Sequence, residues 1–367
     1  MTDDRSMNNI LLVCGGSGGH IAPGLAVAEE LQSRNHRCFI CISQKKIDRR
    51  FIEKYPQFQF ITINSLPFSK SPLKFLKFVF SQSAEVFRSF KILKENRVNC
   101  TVCFGGFTSL GLALASKLKK IPIILHESNI IAGKSTRALS RLADLIILPS
   151  SGIKNKLGVK NTKLINLGVP LRKELCNMDK AIAKKILGIN GREKLLLVLG
   201  GSQGAKALTD WVLENVKRFA RHRINCHCLG GLNTKNEKIT DGGFSTTFEP
   251  FSDDMNILLH AADMVIARAG ASTIAECIAC HTPMILVPYP LAAENHQEEN
   301  ANQVEKNGCA VKINQNQINM LFDMVDSILS DDEKLGQMAY SCEAMEEVNV
   351  AAKIADRIEI LTKPLKS

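Results

Sequence analysis

Ile10-Leu-Leu-Val-Cys-Gly-Gly-Ser-Gly-Gly-His20 and Leu195-Leu-Leu-Val-Leu-Gly-Gly-Ser-Gln-Gly-Ala205 repeat one plan. Each is an apolar run that breaks into Gly-Gly-Ser-x-Gly and then enters a helical pattern. Glycine permits positive φ and close backbone approach, while the first turn of a helix offers N–H groups without intrahelical partners. One such turn is only a tight strand-to-helix connection. Two of them, each opening a half of the chain, predict two doubly wound α/β domains.

The rest of each half alternates accordingly. Strands are expected near Cys38–Ser43, Phe58–Ile63, Cys100–Phe104, Ile121–His126 and Leu145–Leu148, with helices over Gly24–Ser33, Leu73–Glu95, Thr108–Leu118 and Lys134–Leu142. In the second half strands are expected near Leu195–Leu199, Asn225–Leu229, Thr246–Glu249, Met264–Ala267 and Pro283–Val287. Its helices are expected near Ala207–Phe219, Met255–His260, Ser272–Ala279, Glu294–Asn307 and Ile318–Leu329. The Gly168-Val-Pro-Leu-Arg172 turn and the polar Lys173–Lys185 stretch mark a crossing between domains. The expected organisation is a Rossmann-like domain over 1–170, a second over 171–349, and a C-terminal helix in 350–367 packing back on the first. Ligands of such sheets bind beyond the carboxyl ends of the strands, which predicts a site in a cleft between the domains.

Composition agrees with a globular chain too long for one core: 367 residues, 45% hydrophobic and 23% charged. The first apolar run, Ile10–Cys14, is too short for a signal peptide, and no 18-residue apolar stretch occurs, so a cytoplasmic protein is expected. The net charge of +11 is uneven. Residues 1–172 hold 26 Lys and Arg against 10 Asp and Glu, a balance of +16, and the remainder 21 against 26, or −5. A large anionic partner is therefore expected on the first half alone, either a nucleic acid or an anionic membrane. Twelve cysteines include CxxC spacings at Cys38–Cys41, Cys100–Cys103 and Cys277–Cys280. The first two lie in apparent strands, where i and i+3 face opposite ways, so buried thiols are expected rather than a metal site.

The glycine turns lack the Lys-Ser/Thr of a Walker loop, and Gly16-Ser-Gly18 meets Ile21 where a dinucleotide fingerprint needs its third glycine. In the second half, Ala267-Arg-Ala-Gly-Ala-Ser-Thr-Ile-Ala-Glu276 ends a strand and opens a helix. Ser272, Thr273 and the backbone there suit a diphosphate, and Glu276, one turn on, suits ribose hydroxyls; alternatively Ser272 is an N-cap and Glu276 a solvated residue. Pro288-Tyr-Pro-Leu-Ala-Ala-Glu-Asn-His-Gln297 follows the next strand, and its amides and acid suit sugar hydroxyls. Two such sites at neighbouring strand ends point to a nucleotide sugar.

Taken together, GGSGGHIAPGLAVAEEL (15–31), FGGFTSLG (104–111), HESNIIAGKSTRAL (126–139), GVPLR (168–172), GGSQGA (200–205), FSDDM (251–255), RAGASTIAE (268–276) and ENHQEENA (294–301) resemble the MurG family. These transferases add N-acetylglucosamine (GlcNAc) from UDP-GlcNAc to undecaprenyl-diphosphate-muramoyl-pentapeptide (lipid I), giving lipid II for peptidoglycan. The resemblance implies the GT-B fold, inversion at the anomeric carbon, a peripheral enzyme at the inner face of the cytoplasmic membrane, no cofactor and no metal. It implies a donor site using Ser202, Gln203 and Arg172, with Ser272 and Thr273 on phosphate and Glu276 on ribose. The Phe251–Ser252 turn would hold the uracil, and Asn129, His296 and Gln297 the GlcNAc. Ser17, Gly18 and Gly19 would face the acceptor diphosphate. His20 would serve as base for the acceptor hydroxyl or hold the lipid diphosphate. Glu127 is a second base candidate or a structural carboxylate. Asp253–Asp254 precedes a helix and is expected to cap it. Phe107 stands where the family often has tyrosine, so no phenol hydroxyl acts there.

Residues 66–97 hold Lys70, Lys74, Lys77, Arg88, Lys91, Lys94 and Arg97 against Glu85 and Glu95, with phenylalanines between Phe75 and Phe90. This region is expected to dock on an anionic membrane, with nucleic acid the disfavoured partner and other cell-wall synthesis proteins as further partners. Rival readings are a glycolipid synthase of the same architecture, a nucleotide-sugar epimerase and a catalytically silent lipid-binding protein.

Overall fold

The structure is a computed structural model and describes residues 7–15, 18–44, 51–63, 85–106, 108–154, 157–160, 163–175, 178–201 and 204–363. The chain forms two compact units, residues 1–172 with 347–367, and residues 173–346.

The first unit carries a seven-stranded sheet in the order β3-β2-β1-β4-β5-β6-β7. Its strands are β1 (Asn9–Val13), β2 (Arg37–Ile42), β3 (Gln59–Thr62), β4 (Cys100–Cys103), β5 (Ile123–His126), β6 (Leu145–Leu148) and β7 (Leu164–Asn166), all parallel. Helices α1 (Gly18–Ser33), α2 (Ser109–Leu118) and α3 (Lys134–Leu139) follow β1, β4 and β5. The strands are apolar almost throughout because both faces are covered. Ile10 and Leu12 enter one core with Ile21 and Leu25 of α1, while Leu11 and Val13 enter the other with Leu112 of α2. Cys38 and Cys100 lie in the first core and Cys41 and Cys103 in the second, so each CxxC pair is split across the sheet. Burial pushes the Cys38 and Cys103 thiols up to about 12.

The last helix, Val350–Thr362, belongs to this unit: Val350, Ile354 and Ile358 complete the core under α1. Arg34 pairs with Asp356 at 2.6 Å, and His36 Nε2 donates to Glu359 at 3.1 Å. The donor assignment follows because His36 Nδ1 accepts from the Asn8 N–H.

The second unit has the sheet order β10-β11-β9-β8-β12-β13-β14. Its strands are β8 (Lys194–Leu199), β9 (Ile224–Leu229), β10 (Glu237–Asp241), β11 (Phe244–Glu249), β12 (Met264–Ala267), β13 (Met284–Leu286) and β14 (Ala310–Lys312). All pairs are parallel except the β10–β11 hairpin at the edge. Its helices are α4 (Lys180–Ile186), α5 (Lys206–Arg221), α6 (Met255–Ala261), α7 (Ala271–Ala279), α8 (His296–Lys306), α9 (Leu321–Leu329) and α10 (Asp332–Met345), which makes Val350–Thr362 helix α11. Leu196 and Val198 pack with Trp211 and Phe219 of α5 and Phe322 of α9, while Leu195 faces Ala183 of α4 and Ala261 of α6.

Several expected bounds move. Helix α1 begins at Gly18 rather than Gly24 and runs through Pro23. Proline lacks an N–H and reads as a boundary, but α1 is long enough to carry it near its start. Gly24 then lies against β1: a Cβ there would come 2.1 Å from Cys14 Sγ. Of the expected helix Leu73–Glu95, residues 85–95 are helical and 73–84 lie outside the described residues. Part of the supposed linker Lys173–Lys185 is helix α4, capped by Asp179 on the Ala181 and Ile182 N–H groups. Strands β7, β10 and β14 and helix α10 were not expected.

One buried ion network joins three elements of the second unit. Asp263 accepts from the Leu195 N–H at 2.7 Å and pairs with Lys180 and Lys184, each at 2.8 Å. Burial raises the Asp263 pKa, but the two ammonium groups and the N–H outweigh it, and the net direction is down from 3.8. The stabilisation is therefore present above the unfolded carboxylate pKa and is lost as pH falls through the folded one. We expect Asp263→Asn to cost about 3 kcal/mol at neutral pH, since it strands the buried Lys184 ammonium, while the half-exposed Lys180 adds little. The loss should shrink as pH is lowered below 3.8; a denaturation series with equal stability for both proteins at pH 7 would refute this.

Candidate functional site

The first glycine turn leaves β1 and enters α1. Gly18, Gly19 and His20 form the opening turn of this 16-residue helix, while Ser17 lies outside the described residues. The turn after β4 packs against it. Thr108 Oγ1 donates to the Gly15 carbonyl at 2.8 Å, and the Ser109 hydroxyl donates to the Gly105 carbonyl at 2.8 Å. Gly105 has φ of +103°, and a Cβ there would come 2.9 Å from His20 Cε1. Only glycine lets the imidazole rest on this turn. The openings of α1 and α2 thus lie side by side at the carboxyl edge, with N–H groups of both helices presented together. Phe107 lies outside the described residues.

After β5 the loop 127–133 is organised by one buried carboxylate. Glu127 Oε1 accepts from the Asn129 N–H at 3.0 Å and from Asn129 Nδ2 at 2.9 Å. Its Oε2 accepts from the Gly133 N–H at 3.0 Å and from Thr136 Oγ1 at 2.5 Å. Of the two roles open to Glu127, this geometry is that of a structural carboxylate. A base must offer a lone pair to substrate, and four donors already occupy this group. It also orients Asn129, whose Nδ2 donates to the carboxylate. His126, fully buried, donates through Nε2 to the Gly168 carbonyl at 3.0 Å. Burial lowers its pKa and a field from His20 lowers it further, against the raising effect of Gly168 and Glu127, so the ring is neutral. Arg172 is buried in the same unit, where its guanidinium donates to the Tyr55 hydroxyl at 3.2 Å.

In the second unit the glycine turn after β8 is tied to its neighbours through the Gly200 N–H on the Leu229 carbonyl, 2.9 Å. Ser202 and Gln203 lie outside the described residues. The turn after β12 has Gly270 at the N-cap of α7, with no side-chain cap. Ser272 is therefore not the cap. It and Thr273 are the second and third helical residues, whose N–H groups α7 itself cannot satisfy. Glu276 lies four residues after Ser272 and so on the same face. The half-buried Ser252 hydroxyl accepts from the Asp254 N–H at 3.1 Å. Asp254 occupies the N-cap of α6 but its carboxylate makes no capping bond, which corrects the expected capping role.

Arg268, at the end of β12, received no role from the sequence. Its guanidinium donates to the Val287 and Pro288 carbonyls at 3.0 and 3.4 Å and to Gln315 Oε1 at 2.5 Å, and lies 5.5 Å from the centre of the Tyr289 ring. These partners are neutral, so the positive charge is retained beside the opening of α7. Buried Asn300 of α8 donates to the Ala269 carbonyl at 3.1 Å, binding α8 to that turn.

The segment 288–297 then closes on itself. Gln297 Oε1 accepts from the Tyr289 N–H at 2.8 Å, and His296 Nδ1 donates to the Ala293 carbonyl at 2.6 Å. In the neutral ring this makes Nε2 the acceptor. Glu294 and Asn295 both adopt left-handed backbone, φ 56° and 57°. Asparagine tolerates this conformation and glutamate does not, so the turn stores strain of about 1 kcal/mol or more. Helix α8 begins just after this pair, at His296, two residues later than expected.

Residues 10–148 match the Glycosyltransferase family 28 N-terminal domain and residues 195–358 the Glycosyltransferase family 28 C-terminal domain. The chain is 35% identical over 363 residues to the UDP-N-acetylglucosamine–N-acetylmuramyl-(pentapeptide) pyrophosphoryl-undecaprenol N-acetylglucosamine transferase of Opitutus terrae, covering 97% of this chain and 96% of that one. It is 33% identical over 342 residues to the protein of the same name from Prochlorococcus marinus subsp. pastoris, covering 92% and 90%. Among solved structures, Acinetobacter baumannii MurG superposes with a TM-score of 0.69 at 22% identity, covering 96% and 99%. UDP-GlcNAc 2-epimerase from Neisseria meningitidis, bound to UDP-GlcNAc, reaches 0.66 at 15%, covering 97% and 100%. Both structures share the fold; two Rossmann-like sheets in one chain make the GT-B architecture.

The role of Glu127 can be read without substrate. Glu127→Ala removes the acceptor for the Asn129 and Gly133 N–H groups, so their hydrogen exchange should accelerate at least ten-fold while β5 amides stay protected. Unchanged protection at both amides would show that the carboxylate does not organise this loop.

Proposed function

The chain belongs to the MurG family of glycosyltransferase family 28, and we infer that it transfers GlcNAc from UDP-GlcNAc to lipid I, forming lipid II. What carries this is the near full-length likeness to transferases of that name, together with donor-type groups at the carboxyl edge of the second unit. The epimerase shares the fold at far lower identity and supplies no argument for epimerisation.

The reaction is a direct displacement. The muramoyl C4 oxygen forms a bond to the anomeric carbon, the bond from that carbon to the UDP oxygen breaks, and UDP leaves with the electron pair. The configuration inverts. Negative charge grows on the departing diphosphate, and the opening of α7 with Ser272, Thr273 and the retained charge of Arg268 stabilises it. Ser202, Gln203 and Arg172 complete the diphosphate contacts by family likeness. Glu276 accepts from the ribose hydroxyls, and the Phe251–Ser252 turn holds the uracil. His296, with Nε2 as acceptor, and Gln297 take the GlcNAc hydroxyls, and Asn129, held by Glu127, offers its Oδ1 to a sugar hydroxyl. Ser17, Gly18 and Gly19 face the acceptor diphosphate. His20 takes the proton of the attacking hydroxyl; Glu127 acts as a positioning residue.

The acceptor is lipid-linked, so the enzyme works as a peripheral protein at the cytoplasmic face of the membrane. No helix among the described residues is long and apolar enough to cross a membrane. Docking rests on the region Lys70–Phe90, of which 70–84 lie outside the described residues. Within the remainder, Phe87 is 78% exposed; outside that region, Leu118, 70% exposed, stands at the end of α2 with Lys117, Lys119 and Lys120 as its sequence neighbours. Exposed phenylalanine and leucine among lysines suit an anionic headgroup layer.

Purified protein given labelled UDP-GlcNAc and a short-chain lipid I analogue in EDTA should move label into the lipid II analogue. Donor binding without transfer would redirect the search to other acceptors, and absence of donor binding would refute the reading. Glu276→Ala should raise KM for UDP-GlcNAc about ten-fold with a smaller effect on kcat. His20→Asn should lower kcat by about 100-fold or more and abolish the acid limb of its pH profile. A rise in acceptor KM with kcat preserved would instead make His20 a ligand of the lipid diphosphate.

A further inference from the structure

Helix α3 borders the acceptor turn and shows a charged face that the transfer chemistry does not use. Its buried side holds Thr136, Leu139 and, just past its end, Ser140. At 100° per residue, the opposite side is Lys134, Arg137, Ala138 and Arg141. Lys134, Ala138 and Arg141 are exposed and Arg137 is half-buried. The run Lys-Ser-Thr-Arg-Ala-Leu-Ser-Arg, 134–141, contains no carboxylate. Lys134 and Arg141 are separated by a rise of about 10 Å, the length of three or four extended residues.

Two contacts place this face next to the acceptor turn. Ser135 Oγ accepts from the Gly106 N–H at 3.2 Å, joining the first turn of α3 to the turn under His20. The Lys154 N–H donates to the Ile130 carbonyl at 2.9 Å, which adds another exposed ammonium residue beside the loop that leads into α3. Lys134 thus stands beside the acceptor turn, with Arg137 one turn on and Arg141 in the turn that follows α3.

We propose that the Lys134–Arg137–Arg141 face binds the peptide stem of the acceptor, pairing with peptide carboxylates. This rests on the lipid I reading, whose acceptor carries a pentapeptide on the sugar that receives GlcNAc. A linear peptide ends in a carboxylate, and this face begins beside the turn assigned to the acceptor diphosphate. An alanine between the cations lets an extended backbone approach the helix. Lipid headgroups are the competing source of anionic charge, and a micelle-free assay with a short-chain acceptor removes them.

The test compares two soluble acceptors that differ only in the peptide: the muramoyl-pentapeptide analogue and one whose lactyl carboxyl is capped as a simple amide. The wild-type enzyme should favour the pentapeptide acceptor in kcat/KM. Lys134→Gln with Arg141→Gln should reduce that preference about ten-fold, and Arg141→Glu alone should reduce it at least as strongly as Arg141→Gln. Raising salt should erode the wild-type preference more than the variant's. A wild-type enzyme indifferent to the peptide, or a double variant that keeps the ratio while losing activity on both acceptors alike, overturns the proposal. Absence of wild-type transfer to either acceptor would strike the lipid I reading itself and is thereby distinguished.

Discussion

Backbone hydrogen bonds between β1 and β4, and between β8 and β12, join the strands at which each sheet changes its direction of winding. From β1 the chain builds outward through β2 and β3, and from β4 it builds the other way through β5 to β7. In the first unit the helices after β1 and β4 consequently leave to opposite faces, Leu25 of α1 into one core and Leu112 of α2 into the other. Their openings lie just beyond the carboxyl ends of two neighbouring strands, where the first turns hold N–H groups that the helices themselves do not satisfy. A glycine turn is needed to make each connection short, and the same turn lets a ligand approach the backbone. The winding of the sheet thus puts the anion-binding groups in place before any particular side chain is chosen.

Side chains then refine what the backbone offers, mostly by holding one another still. Glu127 spends its whole acceptor capacity on Asn129, Gly133 and Thr136. Arg268 spends its donors on carbonyls and an amide, which leaves the charge uncancelled where a diphosphate would lie. A carboxylate partner would have anchored it as well while cancelling its field. The left-handed pair Glu294–Asn295 costs stability and is kept in place by Gln297 on the Tyr289 N–H and by Asn300 on Ala269. Groups ordered in advance need no reorganisation when charge moves onto the leaving phosphate.

Periodicity and glycine spacing made the fold class and most central elements legible, because strands buried on both faces must be apolar runs and β1 and β8 end in readable turns. Three-residue edges such as β7 and β14 carry too little pattern to be told from loop. The β10–β11 hairpin did have a signal, Asp241-Gly-Gly-Phe244, but β10 itself is exposed and polar. Asp179 and Asp331 likewise announce α4 and α10 as N-caps; Asp179 lies in the stretch expected to be a polar crossing, and no helix is expected after Asp331. The site was legible where a motif states a backbone conformation, as at Gly270-Ala-Ser-Thr. It was illegible where the work depends on tertiary contact. Nothing local in the sequence says that the carboxylate at 127 meets Thr136, or that Arg268 meets Gln315.

The two copies of one plan carry different charge for a physical reason. Residues 173–367 balance to −5, though the donor proposed to bind there is itself an anion. Net charge is screened over about 8 Å at physiological salt, so a half-buried site is governed by the groups that touch it. At that range the relevant groups are the helix opening at Gly270 and the Arg268 guanidinium beside it. Residues 1–172 balance to +16, which acts at longer range and over a wide surface. Such a field does little for a small soluble ligand, which diffusion delivers from every side. It would matter for an acceptor confined to an anionic sheet, where a protein is drawn to a surface and oriented upon it before any single contact forms. On the proposed reading, the charge asymmetry between the halves fits one substrate that arrives free and another that has to be visited.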